Sequence, residues 1–357
     1  MFRPISRDDR FQINAYFAIK VVMNLSMGIV GLPNVGKSTL FKLLTNKDVL
    51  IANYPFATID PSVGVVVVPD ARLSALTKFS SSVKTVPAIV EFYDIAGLVR
   101  GANVGEGLGN QFLSHIRETS AIVQVVRCFK SPEIVHVDAE VNPERDIEVI
   151  NMELILKDLD TVAKRSSSLE KETRAGDKQK IKDLEVLKEV KEGLERGVLA
   201  KNVRPDIISE PIVRELQLLT AKAQVYLLNG ESSDVSDSLK EKIRSLGADY
   251  VIYDLTSATD LTDLIQKAYE VLGLISFFTT GEDETRAWTI RQGAKAPEAA
   301  GAIHSDFEKK FIRAEVISTE KLLEAGSWSA AKAKGWIRLE GKEYEVMDGD
   351  VMVIRHG

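Results

Sequence analysis

The sequence predicts an α/β fold, a mostly parallel sheet with helices on both faces. Three observations lead there. Apolar, strand-like runs recur at 63–68, 88–94, 121–128, 224–228 and 250–254. Helical stretches separate many of them, and such alternation implies a parallel sheet covered on both sides. Ahead of these runs, Ser26-Met-Gly-Ile-Val30 reads as a short buried strand that enters a glycine-rich loop and then a helix.

That loop, Gly31-Leu-Pro-Asn-Val-Gly-Lys-Ser-Thr39, fits G-x-x-x-x-G-K-[ST]. Its glycines let the backbone turn until N–H groups converge on phosphate oxygens. Thr39-Leu-Phe-Lys-Leu-Leu44 has the pattern of an amphipathic helix start. Strand, loop and helix together make a phosphate site, because the helix N-terminus also favours an anion. Asn34, Val35, Gly36, Lys37, Ser38 and Thr39 are the candidate phosphate-binding residues, with Lys37 on the outer phosphates and Ser38 on Mg²⁺.

With 357 residues, the chain exceeds one compact core, so two or three domains are expected. A net charge of −6 offers no global reason for non-specific nucleic-acid binding, although a local basic face stays open. Cys128 is the single cysteine, which excludes an internal disulfide framework and suits a reducing compartment, the cytoplasm. No apolar run is long enough to span a membrane, and none is expected as a partner. Residues 1–23 admit three readings: a disordered extension, a weak targeting segment, or sequence upstream of a start at Met23 or Met27.

The expected order is an extension at 1–23, then an α/β nucleotide domain in two parts, 24–144 and 203–274. Between the parts, 145–202 is rich in Glu, Lys, Leu and Asp and has apolar residues at helical spacing. Ile155, Leu159 and Val162 form one stripe; Ile181, Leu184, Leu187, Val190 and Leu194 form another, with Arg174-Ala-Gly-Asp177 as a turn. This reads as a coiled-coil-like helical hairpin with arms on the order of 30 Å. After about Leu274 a small mixed domain, 275–357, offers short strands at 287–290, 311–317, 342–346 and 351–355.

Asp94 ends an apolar run and opens Asp94-Ile-Ala-Gly97. An acid there, beside a glycine, is where a P-loop enzyme holds Mg²⁺ and senses the γ-phosphate, which makes Asp94 and Gly97 candidates. Thr58, within Asn53-Tyr-Pro-Phe-Ala-Thr-Ile-Asp-Pro61, is a candidate second Mg²⁺ ligand. Leu98 stands where Ras-like switches have a water-orienting glutamine. A leucine cannot hydrogen-bond water, so His115 and Gln124 are the alternatives and slow turnover is expected. The four-glycine loop Gly101-Ala-Asn-Val-Gly-Glu-Gly-Leu-Gly109 suits a segment that moves with nucleotide state, or a plain connector.

Guanine-specific switches use Asn-Lys-x-Asp after a strand. Asn46-Lys-Asp48 sits in the first helix, and Val49 stands where the Asp is needed. After the 224–228 run the chain reads Asn229-Gly-Glu-Ser-Ser-Asp234, with Ser232 at the fourth position. Without that carboxylate, strong guanine selection is not expected. Thr256-Ser-Ala258, after the next strand, is placed to contact the base through its backbone.

Together these motifs resemble the Obg-like ATPase (YchF) subfamily of translation-factor-related P-loop NTPases, over roughly Met23 to Gly357. Its other specific segments are Asp94-Ile-Ala-Gly-Leu-Val-Arg-Gly101 and Gly105-Glu-Gly-Leu-Gly-Asn-Gln-Phe112. Arg286-Ala-Trp-Thr-Ile290, His304-Ser-Asp-Phe-Glu308 and Asp348-Gly-Asp-Val-Met352 are similar to that family's TGS domain, a β-grasp module. The resemblance implies a P-loop G domain interrupted by a hairpin, ATP preferred to GTP, Mg²⁺ dependence and ribosome association. It places Ser38 and Thr58 on Mg²⁺ and Gly230 at the base through its backbone; the residues themselves add Asp94 on Mg²⁺, Asn229, Glu231 and Ser257 at the base, and Lys37, Thr58, Asp94, Gly97 and His115 as catalytic candidates. Three features depart from the family pattern. The family reads Asn-x-x-Glu at the base site, whereas the acid here is one place early, at Glu231. The connection from Asp234 to Leu274 is shorter than in many bacterial members, and several members have histidine where Gln124 stands.

The expectation is therefore a monomeric, cytoplasmic, slowly hydrolysing ATP switch on the ribosome, its large subunit and rRNA reached through the hairpin and TGS domain. A GTPase of the same fold and a nucleotide-gated binding module with negligible turnover are the alternatives.

Overall fold

The structure is a computed structural model that describes residues 26–45, 62–95, 115–130, 141–173 and 176–357. Residues 1–23, Asn46-Lys-Asp48, Thr58, Gly97, Leu98 and the loop Gly101 to Gly109 lie outside the described residues. The chain forms two compact units. One contains 26–44 and 92–264; the other contains, among the described residues, 45, 62–91 and 265–357.

In the first unit, strands β1 (Ser26–Val30), β5 (Ala121–Arg127), β6 (Ala223–Asn229) and β7 (Asp249–Tyr253) lie side by side, with the end of β4 (Ile89–Asp94) on the far side of β1. Neighbouring pairs β1/β5, β5/β6 and β6/β7 are parallel. Register pairs Val30 with Gln124, Arg127 with Asn229 and Asn229 with Tyr253, so the strands end at one common edge. Every residue of β1 and β5 is buried. Strands buried on both faces need near-continuous apolar runs, and Ile122, Val123, Val125 and Val126 supply one. Helix α1 (Lys37–Thr45) follows β1, and α6 (Asp237–Ser245) packs Leu239 and Ile243 against Val126, Tyr226 and Leu228.

The hairpin interrupts this sheet as expected. Helix α3 (Pro143–Glu172) starts with Asn142 accepting from Arg145 N–H and has Pro143 in its first turn. Its 30 residues span about 45 Å. Helix α4 (Lys178–Glu195), capped by Asp177, returns for 18 residues, about 27 Å. Ile155, Val162 and Leu169 on α3 meet Leu184, Leu187, Val190 and Leu194 on α4 in one apolar cluster. Asp158 secures the root: its buried carboxylate accepts from Leu219 N–H (2.9 Å), Thr220 N–H (2.7 Å) and Thr220 Oγ1–H (2.6 Å). Burial pushes its pKa up, against these bonds, which hold it down. Short helix α5 (Pro211–Leu216) precedes that turn.

The second unit has a six-stranded sheet in the order β11-β10-β12-β8-β9-β3. Its strands are β8 (Leu274–Thr280), β9 (Glu284–Arg291), β10 (Phe311–Ser318), β11 (Arg338–Glu340), β12 (Asp350–His356) and β3 (Lys84–Val86). The hairpin β8/β9 is antiparallel, and β12 runs parallel to β8 at the centre, the order of a β-grasp. Helices α7 (Thr262–Val271), α8 (Ala296–Ile303), α9 (Ser305–Lys309), α10 (Thr319–Ala325) and α11 (Trp328–Ala333) fill the connections. The strand expected at 342–346 is absent. Those residues form a turn with a single bridge, Lys295 to Glu345, while Val346 is buried as a core anchor bonded to Ala294. The strand lies earlier, at β11, whose Arg338 and Glu340 flank an exposed Leu339 and hide the usual alternation.

Residues 62–91 contribute β2 (Val63–Val67), α2 (Ala71–Ser80) and β3. Strand β3 adds parallel to the outer edge of β9. Hydroxyls bridge the junction, Ser82 to Thr285 (2.7 Å) and Ser80 to Thr280 (2.7 Å), and Thr280 also meets Thr285 (2.6 Å) within the hairpin. Arg72 of α2 bonds Asp70 and, at 2.7 Å, Asp348, with its guanidinium over the Phe278 ring.

Candidate nucleotide site

The edge where β1, β5 and β6 end carries the site. The loop between β1 and α1 needs two glycines for a physical reason. Gly31 has φ +153°, and a Cβ there would stand 2.5 Å from the Val125 carbonyl oxygen. Gly36 has φ +107°, and a Cβ there would meet Asn229 Nδ2 at 2.5 Å. Asn34, at φ 61°, takes the left-handed conformation that Asn tolerates. The loop thus curls as a phosphate cradle requires. Asn34, Ser38 and Thr39 are exposed, and Val35 is buried.

Lys37 bends back so that its ammonium donates to the Leu32 carbonyl at 2.6 Å. Burial pulls its pKa down to about 8, and the opposite charge of Asp94 resists. Asp94, only 8% exposed at the end of β4, is close enough to act on that charge. Ser38, exposed on the first turn of α1, and Asp94 are oxygen donors of the type Mg²⁺ takes together with phosphate oxygens. That donor set suits the ion.

Asn229 joins the phosphate loop to the loops that follow β6 and β7. Its Nδ2 donates to the Val35 carbonyl (2.9 Å), and its Oδ1 accepts from Leu255 N–H (3.1 Å). One Nδ2 hydrogen remains for a ligand. Gly230 N–H is bonded to the Tyr253 carbonyl, and Glu231 N–H to Asp234 Oδ2. Glu231 and Ser257 are exposed on these loops. Asp254 is a further residue of these loops. It accepts from Thr256 N–H (2.9 Å), Thr256 Oγ1–H (2.7 Å) and Ser257 Oγ–H (2.8 Å). These bonds hold its carboxyl below the usual range. The signal was legible, since Asp followed two residues later by Thr is a turn signature.

His115 stands in the segment that leads into β5. Residues 115–118 lead through Thr119 to Ser120, whose N–H bonds the Ser26 carbonyl at the opposite edge of the sheet. The five residues of β1 separate that edge from Gly31, roughly 16 Å. The imidazole is 3.9 Å from Glu118 Oε2. Gln124, opposite Val30, is 1% exposed, and its Oε1 has no hydrogen-bond partner among the described residues.

Comparison with known proteins fits this geometry. A family described as "50S ribosome-binding GTPase" matches residues 26–163, and the YchF-GTPase C-terminal family, described as of unknown function, matches 274–357. The Bacillus subtilis protein named "Ribosome-binding ATPase YchF" is 44% identical, covering 93% of this chain and 99% of its own. The chain belongs to the YchF family. An Escherichia coli O157:H7 YchF is 43% identical over 92% of this chain and 98% of its own. The solved Schizosaccharomyces pombe YchF GTPase superimposes with a TM-score of 0.84 at 37% identity, covering 93% of this chain and 98% of its own. Within the YchF frame, Ser232 still stands where the resemblance implied an acid, and Glu231 sits one place earlier on an exposed turn.

Proposed function

We propose that this chain is an ATP-binding, slowly hydrolysing switch that works on the ribosome in the cytoplasm. The observation that carries this reading is the curled loop with Lys37 set against Asp94, in a chain so similar to proteins named ribosome-binding ATPases. Residues 34–39 hold the phosphates, while Ser38, Thr58 and Asp94 hold Mg²⁺, which would neutralise phosphate charge. Gly97 senses the γ-phosphate. Asn229, Gly230, Glu231 and Ser257 surround the base. Ser232 in place of a carboxylate supports ATP over GTP.

Hydrolysis is slow because Leu98 cannot orient water. Either His115 or a ribosomal partner supplies the missing help; Ser120, five residues after His115, bonds Ser26 at the start of β1, which favours the partner. The chain acts as a monomer and docks on the large subunit, in line with the "50S" description of the matching family. The hairpin and the C-terminal domain, read as a TGS domain, contact rRNA. GTPase activity is the second reading, favoured by the names of the matching family and of the fission-yeast structure.

Side-by-side ATP and GTP titrations with Mg²⁺ test the proposal. Tighter ATP binding is expected, with loss of binding in Lys37→Ala. A variant that binds ATP normally would remove Lys37 from the site, and tighter GTP binding would promote the second reading.

A further inference from the structure

One Nδ2 hydrogen of Asn229 is spare, but the backbone N–H groups of 230, 231 and 255–258, in the loops after β6 and β7, are engaged within the protein. Gly230 N–H goes to the Tyr253 carbonyl (3.0 Å), Glu231 N–H to Asp234 Oδ2 (3.0 Å) and Leu255 N–H to Asn229 Oδ1 (3.1 Å). Asp254 takes the next three amides. Its Oδ1 accepts from Thr256 N–H (2.9 Å), and its carbonyl accepts from Ser257 N–H (3.2 Å) and Ala258 N–H (2.9 Å). Its second carboxylate oxygen holds Ser257 Oγ–H at 2.8 Å. Leu255 fixes this turn beside the phosphate loop: its Cδ1 would lie 3.2 Å from a Cβ on Gly36.

Purines differ at position six. Adenine presents an amino group there that donates; guanine and hypoxanthine present an oxygen that must be given a donor. A buried acceptor left without a donor loses affinity. We infer that Asp254 is a selectivity-determining residue: by closing the turn over Thr256, Ser257 and Ala258 it denies a 6-oxo purine its N–H partner and so favours a 6-amino purine. Glu231 does not supply this discrimination, because a carboxylate accepts and therefore serves the amino groups of either base. The inference deepens the ATP reading and rests on it.

The test compares ATP, GTP and ITP binding by wild type, Asp254→Ala and Asp254→Asn, with Mg²⁺. ITP shares the six-position oxygen of GTP and lacks its 2-amino group, so it isolates the position-six effect. Wild type should bind ATP above both. Asp254→Ala should shift the GTP/ATP and ITP/ATP affinity ratios upward together by roughly fivefold to tenfold, the effect of about one hydrogen bond. Asp254→Asn, which keeps an oxygen for Thr256, should stay near wild type. An equal loss for all three nucleotides in Asp254→Ala would reduce Asp254 to a structural turn residue and overturn the inference. A wild type that prefers GTP would instead sink the ATP reading. Hydrogen exchange on the nucleotide-free wild type needs no variant: the amides of 256–258 should be protected, and exchange at unstructured rates would also overturn the inference.

Discussion

Lys37 is asked to be charged when phosphate is present and is partly buried when it is not. Its ordinary pKa of 10.5 falls to about 8 in this loop, burial being the larger cause and Asp94 opposing it. Phosphate oxygens favour the ammonium, so binding raises the pKa again. Below about pH 8 the lysine is already protonated; between about 8 and 10.5 binding must take up a proton. ATP affinity should therefore fall as pH rises through this window. Stability should move the other way: the unfolded chain keeps its lysine proton up to 10.5 and binds more protons than the folded one, so stability rises with pH. Calorimetry at pH 8.5 in two buffers of different ionisation enthalpy should detect the proton uptake; its absence would refute the account. At this scale the sequence was informative where function demands a residue type. A P-loop lysine, its serine and the strand-ending Asp94 have few substitutes. Gly31 and Gly36 follow from backbone sterics. Asp254 escaped notice because its importance lies in which amides it occupies, and that depends on a turn.

The hairpin shows what an element inherits from pattern. Heptad spacing of Ile155, Val162 and Leu169 is enough to expect two packed helices, because an apolar stripe must be covered. Its attachment was not legible: Asp158 reads as a solvated charge until Leu219 and Thr220, some sixty residues on, are folded over it. The far end has a different character. Lys164, Lys171, Lys178 and Lys182 are all exposed near the turn, in a chain of net charge −6. Such a concentrated basic end suits phosphate contact on rRNA. Changing these four lysines to glutamate should cut ribosome co-sedimentation at least tenfold at low salt and flatten its salt dependence, with ATP binding in solution retained. Unchanged co-sedimentation would move docking away from the hairpin. His115 shows the converse limit. Nothing local in the sequence fixes how far a histidine stands from the phosphate.

At the scale of the whole molecule, the chain is partitioned differently from its order. Residues 62–91 were expected to serve the nucleotide domain alone, yet β3 completes the C-terminal sheet and Arg72 reaches Asp348 across 276 positions of sequence. Segments that share a sheet and a hydroxyl network should open together. Hydrogen exchange on the full chain should give the amides of β3 and β9 similar protection, and destabilising the contact with Arg72→Ala should speed exchange at both. Rapid exchange of β3 with β9 still protected would separate them. The side chains of this contact are partly exposed, so the variant should cost only about 1 kcal/mol.

By itself, the sequence determined the parallel sheet, the phosphate loop, the hairpin and the small mixed domain. Each follows from short-range rules: apolar periodicity, glycine sterics and the chemistry of phosphate and Mg²⁺. Only the tertiary structure decided that Asn229 clasps Val35 and Leu255, that Asp254 consumes the donors of its turn, and that β3 belongs to the C-terminal sheet. Those are matters of which distant groups share a hydrogen bond or an edge. Many partners satisfy the same local pattern, and folding selects one.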